Sequence, residues 1–287
     1  MMAKRSKLMG KFDGMLVCTD LDGTLYRDEK SISSKNKEAI EYFKSEGGLF
    51  TFITGRLPYY SVDAYNAIQP NAPFGCINGG GIYDGAENRY LWTMELERES
   101  LELVKYIDEL FPDVGIQICC FDKTCFTKDN ETTAIFRGLT GLPHITCDYH
   151  GFDEPIGKLI FCCDVGKTLA PIWEALEKHE LYNKFDYISS EKSFLEVLPK
   201  GSSKGLIINK MAELLKIDKK NTIAIGDYDN DASMLRAAGC GVAVKNASRA
   251  ALEAADHVTV SNEEHAIARL ITDLECGKLP NISKRGI

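Results

Sequence analysis

Met15-Leu16-Val17-Cys18-Thr19-Asp20-Leu21-Asp22-Gly23-Thr24-Leu25 joins a short apolar run to two carboxylates one residue apart. An apolar, β-prone stretch predicts a strand over 15–19. Side chains alternate along a strand, so positions i and i+2 share a face. Asp20 is thereby delivered to the tip of a sheet, and Gly23 allows the sharp turn that must follow. One carboxylate of such a pair can attack while its neighbour handles protons. The same letters suit an Asp-Gly surface hairpin, so the decision comes from the residues around them.

Outward from this run, strand and helix signals alternate. Segment 34–45 reads as a helix, with Ser33 or Ser34 as its cap and Gly47 just past its end. Segment 49–53 reads as a buried strand, 57–68 as a helix with Pro58 in its first turn, and 74–77 as a strand. The sequence then changes texture. Strands over 90–94, 115–121, 125–127, 158–164, 187–190 and 194–198 are interspersed with helices over 99–110, 132–139 and 168–179. That pattern suggests hairpins and an antiparallel sheet. Alternation resumes after Pro199: helix 204–215, strand 222–225, helix 231–238 stopped by Gly239, strand 241–244, helix 247–254, strand 257–260 and helix 263–274. The expected fold is α/β: a Rossmann-like parallel-sheet core, 1–84 with 197–287, interrupted by an α+β module over 85–196.

Composition narrows the class. The 287 residues carry a formal net charge of −8, which does not favour a nucleic-acid partner. No apolar stretch approaches the length that spans a membrane. The basic N-terminal segment reads as a solvated tail carrying Lys4, Arg5, Lys7 and Lys11, not as a secretory leader. Ten cysteines in a chain of this size and character are expected to be reduced, with the cytoplasm as the default location. Cys119-Cys120 and Cys162-Cys163 fall on expected strands and point to opposite faces, so neither pair chelates a metal. The His144–His150 stretch lacks a further ligand at zinc spacing.

Chemistry-bearing residues gather at four strand exits or helix starts, where open parallel sheets bind ligands. They are Asp20 with Asp22; Thr54-Gly55-Arg56 after the second strand; Lys204 after Pro199-Lys200-Gly201-Ser202-Ser203; and Gly226-Asp227-Tyr228-Asp229-Asn230-Asp231 after the 222–225 strand. A hydroxyl, a backbone amide and a nearby helix start at Thr54 and Gly55 suit a phosphate. Any one site has a plain reading as a cap, an acidic turn or a solvated lysine. Separate plain readings leave their shared position at strand exits unexplained.

Taken together, these motifs resemble the haloacid dehalogenase superfamily of phosphohydrolases, and most closely its Cof-type, type IIB branch. Ile77–Asp84 (INGGGIYD), Val242–Ser248 (VAVKNAS) and Ala255–Asn262 (ADHVTVSN) strengthen the match. The resemblance implies a magnesium-dependent phosphatase of small phosphorylated metabolites such as sugar phosphates, pyridoxal phosphate and nucleotide or flavin phosphates. Asp20 is then the nucleophile and Asp22 the acid and base. Magnesium is held by the Asp20 carboxylate, the Asp22 carbonyl and Asp227, with Asp231 behind them. Thr54, Gly55 and Lys204 contact the phosphoryl group, Asn230 orients Lys204 or Asp20, and Arg56 touches substrate or pairs with an acid. The inserted module chooses the leaving group. A phosphomutase with the same phosphorylated aspartate is the alternative, and a non-catalytic phospholigand sensor a third. The motifs leave the oligomeric state open. One departure from the family pattern stands at Glu264-His265-Ala266-Ile267, where an acid-Gly pair followed by Val is usual; His265 is expected to be an exposed helix-start residue without a catalytic role.

Overall fold

The structure, a computed structural model, describes residues 10–279. Lys4, Arg5 and Lys7 lie outside the described residues. Contacts between Cα atoms divide the chain into two compact units, residues 1–53, 64–74 and 204–287 in one and 54–63 and 75–203 in the other.

The first unit is built on a five-stranded parallel sheet. Its strands are β1 (Leu16–Thr19), β2 (Leu49–Phe52), β12 (Thr222–Gly226), β13 (Cys240–Ala243) and β14 (His257–Val258), in the order β14-β13-β12-β1-β2. Numbering follows the chain. From β1 the chain passes to β2 on one side, and β12 later pairs on the other, so the order reverses at β1. A crevice forms beyond strand tips at such a reversal. The register Thr19↔Ile225 puts the next residues of the two strands side by side. Leu16, Val17 and Cys18 are fully buried, as is Ile223–Ile225 on the neighbouring strand. Parallel strands covered on both faces carry such unbroken apolar runs. The stacked Phe52 and Phe74 rings, 4.5 Å apart, fill the β2 side.

Helices of this unit are α1 (Ser34–Ser45), α2 (Val62–Ile68, shared at its start with the second unit), α6 (Lys204–Leu215), α7 (Ala232–Ala237), α8 (Arg249–Ala254) and α9 (Ala266–Glu275). The Ser33 hydroxyl caps α1 by accepting from Asn36 N at 3.2 Å. The expected helix over 57–68 is interrupted. Ser61 N bonds Pro58 O at 2.9 Å while the Ser61 hydroxyl takes Leu57 O at 3.0 Å, leaving a tight turn over Pro58–Tyr60 before α2 begins. A serine that satisfies the backbone locally competes with helix propagation. The last helix also starts late. His265 holds φ at 64° and divides a short turn, Asn262–Glu264, from α9. It is half-buried with Nδ1 3.0 Å from Ser33 Oγ, not exposed as expected. Left-handed backbone favours glycine, so histidine carries strain there. Lys11 is solvent-exposed as expected, and its ammonium also bonds Glu275 at 2.7 Å and the Tyr42 hydroxyl at 2.6 Å.

In the second unit, β6 (Gly115–Cys120), β7 (Thr124–Lys128), β8 (Ile145–Thr146), β9 (Ile156–Cys162), β10 (Phe185–Glu191) and β11 (Phe194–Pro199) form a sheet ordered β10-β11-β9-β6-β7-β8. All its pairs are antiparallel except β7–β8, which run parallel across α4 (Glu131–Thr140). Leu103, Val104 and Ile107 of α3 (Ser100–Leu110), with Ile172 and Leu176 of α5 (Ala170–Glu177), share one core with Ile116, Ile118, Leu159, Phe161, Leu195 and Val197. A smaller sheet joins β3 (Phe74–Cys76), β4 (Gly81–Asp84) and β5 (Arg89–Thr93). Neither β4 nor β8 is evident from sequence: β4 begins on the last of three consecutive glycines, and β8 is only two residues long.

All ten cysteines are free. Among the described residues, no helix is long and apolar enough to cross a membrane.

Candidate active site

Asp20 leaves β1 with extended backbone, and its amide donates to Ile225 O at 2.9 Å, continuing the β1–β12 pairing by one residue. The chain then folds sharply over Leu21–Leu25. Gly23 takes φ 80°, and Tyr26 N closes the turn on Leu21 O at 2.8 Å. Glycine is required here twice over, because a Cβ on Gly23 would lie 2.4 Å from Asp227 Oδ2. Thr24, fully buried on the same turn, donates its hydroxyl to Asp227 Oδ1 at 2.7 Å.

Opposite this turn, β12 ends at Gly226 and the chain passes into Asp227. The Asp231 carboxylate bends back to accept from Asp227 N at 2.9 Å and Tyr228 N at 3.0 Å. It therefore ends one residue before α7 as an acceptor for loop amides, and the expected helix start at 231 shifts to Ala232. Lys204 opens α6, whose Gly205 allows close approach to Ser233 before α7's second turn. The Lys204 ammonium bonds Asp20 Oδ1 at 2.6 Å and Asp231 Oδ1 at 2.5 Å.

Asp20, Asp227 and Asp231 thus offer carboxylate oxygens within 4.8 Å of one another. Asp20 is 7% exposed, Asp231 0% and Lys204 2%. Burial, opposed by Lys204 and reinforced by Asp231 and Asp227, holds the Asp20 carboxyl well above its usual range. Burial, with repulsion from Asp231, pushes Asp227 up to about 7. Burial alone would lower Lys204, but Asp20 and Asp231 reverse that and hold it above its ordinary value. Three acids and one lysine leave excess negative charge in a desolvated spot. A small divalent cation would relieve both the desolvation and the repulsion. With oxygen donors alone, the set suits magnesium better than a thiophilic metal.

The other anticipated residues fall into three places. Asp22 lies outside the cluster, with its carboxylate 2.9 Å from Lys30 Nζ. Asn230 is half-buried in the Asp229–Asp231 turn. Thr54, Gly55 and Arg56 belong to the second compact unit. There the Thr54 hydroxyl, on a residue 2% exposed, accepts from Arg56 N at 3.2 Å, and the Arg56 guanidinium lies 4.7 Å from the Tyr60 ring centre.

Two asparagines escaped a role in the sequence reading. Asn246 Nδ2 donates to Gly23 O at 2.9 Å while its Oδ1 accepts from Asn262 N at 3.0 Å. Buried Asn262 then donates to Tyr26 O at 3.2 Å and Asp28 Oδ1 at 3.0 Å. They strap the middle and the far end of the Asp20–Tyr26 turn. Their place in the VAVKNAS and ADHVTVSN runs was the available signal.

Comparison with known proteins identifies the family and matches the fold. A family model described as haloacid dehalogenase-like hydrolase matches residues 17–271. A 5-amino-6-(5-phospho-D-ribitylamino)uracil phosphatase of Bacillus subtilis is 27% identical over 289 residues, covering 91% of this chain and 98% of its own. A second Bacillus subtilis phosphatase of that description is 26% identical over 273 residues, covering 90% and 96%. The crystal structure of a haloacid dehalogenase-like hydrolase from Bacteroides thetaiotaomicron superposes with a TM-score of 0.80 at 27% identity, covering 91% of this chain and 99% of that one.

Proposed function

Because the chain belongs to the haloacid dehalogenase-like hydrolases, we propose that it is a magnesium-dependent phosphatase of small phosphorylated metabolites, working through a phosphorylated Asp20. The observation that carries this reading is the cluster at the tips of β1 and β12, in which buried Asp20 and Asp231 bond Lys204 and half-buried Asp227 stands beside them. An oxygen of Asp20 forms a bond to phosphorus as the bond from phosphorus to the leaving alkoxide breaks. Asp22 gives that alkoxide its proton. Water then attacks the phosphorus of the aspartyl-phosphate, Asp22 takes the proton back, and Asp20 and inorganic phosphate are released.

Lys204 fixes the direction of the Asp20 carboxylate and lends positive charge to the transferring oxygens. Thr54 and Gly55 keep the role that the resemblance gives them, as contacts to those oxygens. Asn230 orients Lys204 or Asp20, and Arg56 is a substrate contact. The Asp20 and Asp227 carboxylates and the Asp22 carbonyl would hold magnesium, with Asp231 behind them. When bound, the ion supplies charge that offsets the phosphoryl group and the acids. We assign leaving-group choice to residues 85–196, and the core function to 1–84 and 197–287. Ten free cysteines support work in a reducing compartment, the cytoplasm.

The test is phosphate release by purified protein across a panel of phosphorylated metabolites with magnesium. A ribitylaminouracil phosphate belongs first on that panel, since two relatives are named for it. Release is expected to vanish on chelation and to fall at least ~10³-fold in Asp20→Asn. Undiminished release by Asp20→Asn would sink the covalent step. Isomerised hexose phosphate in place of free phosphate would make the protein a mutase.

A further inference from the structure

The INGG run and a buried ion pair in the second unit have no part in the chemistry above, yet both close on the backbone of the 54–56 turn. Lys158 of β9 donates to Gly55 O at 3.0 Å and lies 2.8 Å from Glu196 Oε2 of β11. The same Glu196 oxygen accepts from Asn78 Nδ2 at 2.8 Å. These three residues are 4%, 3% and 2% exposed. From the other side, Ile77 N donates to Arg56 O at 3.0 Å and Asn78 N to Thr54 O at 3.2 Å. All three carbonyls of the turn, Thr54, Gly55 and Arg56, are therefore taken by this one cluster.

The clamp is built at visible cost. Ile77 and Asn78 both hold left-handed backbone, φ 58° and 50°, and a β-branched residue rarely does so. Strain of that kind persists only where the surroundings over-determine it, and it gathers at functional sites. Gly55 is a glycine because a Cβ would lie 2.6 Å from Asn78 Nδ2. Gly157, beside Lys158, leaves room for Ile77, whose Cδ1 would be 3.2 Å from an added Cβ. A buried ion pair is weak as a source of stability compared with well-packed apolar side chains. Its attachment to a backbone carbonyl gives it a geometric use instead.

We infer that Lys158, Glu196 and Asn78 are positioning residues that set the Thr54–Gly55–Arg56 backbone for phosphoryl oxygens. The inference rests on the reading of Thr54 and Gly55 as phosphoryl contacts. The Thr54 amide is engaged by Gly75 O and the Arg56 amide by the Thr54 hydroxyl oxygen, so by taking the carbonyls inward the clamp leaves the Thr54 hydroxyl proton and the Gly55 amide to face an anion. Misplacing such groups by about 1 Å can slow a reaction by as much as ~100-fold.

Two variants test it. Lys158→Met with Glu196→Gln removes both charges and keeps an acceptor for Asn78. Asn78→Gly keeps the left-handed backbone and removes the side chain. In each, the inhibition constant of inorganic phosphate and the KM for p-nitrophenyl phosphate are expected to rise about tenfold. Amide exchange at Ile77 and Asn78 is expected to quicken by a similar factor, while the magnesium-induced rise in melting temperature stays at its wild-type value. A phosphate inhibition constant unchanged in both variants overturns the inference, even if the melting temperature falls, since a merely structural role predicts that outcome. The phosphatase reading fails separately, if the wild-type protein with magnesium releases no phosphate from any member of the metabolite panel. A wild-type protein indifferent to inorganic phosphate overturns the inference about the turn and leaves the phosphatase reading to the release assay.

Discussion

Gly23 holds φ at 80°, and a methyl group there would lie 2.4 Å from an Asp227 oxygen. Gly23→Ala therefore strains the backbone and displaces a carboxylate of the cluster at once. We expect a stability loss of about 1–3 kcal/mol in urea unfolding. Phosphatase activity should fall by at least ~100-fold. His265 isolates backbone strain more cleanly. Its left-handed conformation and its ring contact with Ser33 are separable, because Gly and Ala both abolish the contact. His265→Gly is expected to be more stable than His265→Ala by about 1–2 kcal/mol in chemical unfolding. Equal stabilities would mean that α9 can start without a left-handed residue.

At the scale of elements, the Asp20–Tyr26 turn is held by side chains from segments more than two hundred residues away in sequence. Asn246 and Asn262 tie its Gly23 and Tyr26 carbonyls to the loops after β13 and β14. Asn262→Ala leaves the Tyr26 carbonyl without the bond and opens a polar gap in a buried site. A loss of about 1–3 kcal/mol is expected, with kcat/KM reduced more than the folded fraction explains. Denaturant melts and steady-state kinetics on the same preparation check both. The broken 57–68 helix shows the converse, a local effect defeating an element. Ser61 satisfies Leu57 O itself, and the apolar periodicity that suggested one helix could not register a side chain turning inward on its own turn.

For the whole molecule, the excess negative charge of the cluster links folding, pH and cation binding. Asp227 is pushed up to about 7 by burial, above the ordinary aspartate value of about 4. An acid whose folded value is raised keeps its proton folded while the unfolded chain releases it. Without a cation, its contribution thus disfavours folding increasingly from about pH 4 and fully above about pH 7. Magnesium competes with those protons. Its stabilisation, read as a shift in melting temperature, is expected to be several degrees at pH 8 and much smaller at pH 5. Equal shifts at both pH values would place the bound cation away from Asp227. Chelator should return the pH 8 melt to its cation-free position.

The α/β class and, apart from β4, β8 and the broken 57–68 helix, the order of the elements were legible in the chain because they are local properties. Apolar runs, period and turn chemistry depend on neighbours within a few positions, and the Asp20, Lys204 and Asp227 motifs each announce a strand exit or a helix start by themselves. Other features depended on residues distant in sequence. The VAVKNAS and ADHVTVSN runs mark Asn246 and Asn262 as noteworthy, but no neighbour in sequence indicates that they strap the Gly23 turn. Nothing near Lys158, Glu196 or Asn78 indicates that they would meet at the Gly55 carbonyl. Burial, repulsion and hydrogen-bond partners arise only when strands pair across long stretches of chain. Sequence determined which groups were available and on which elements they sit; tertiary structure decided which carboxylates share one desolvated space, because charge–charge energy depends on separation through space and not along the chain.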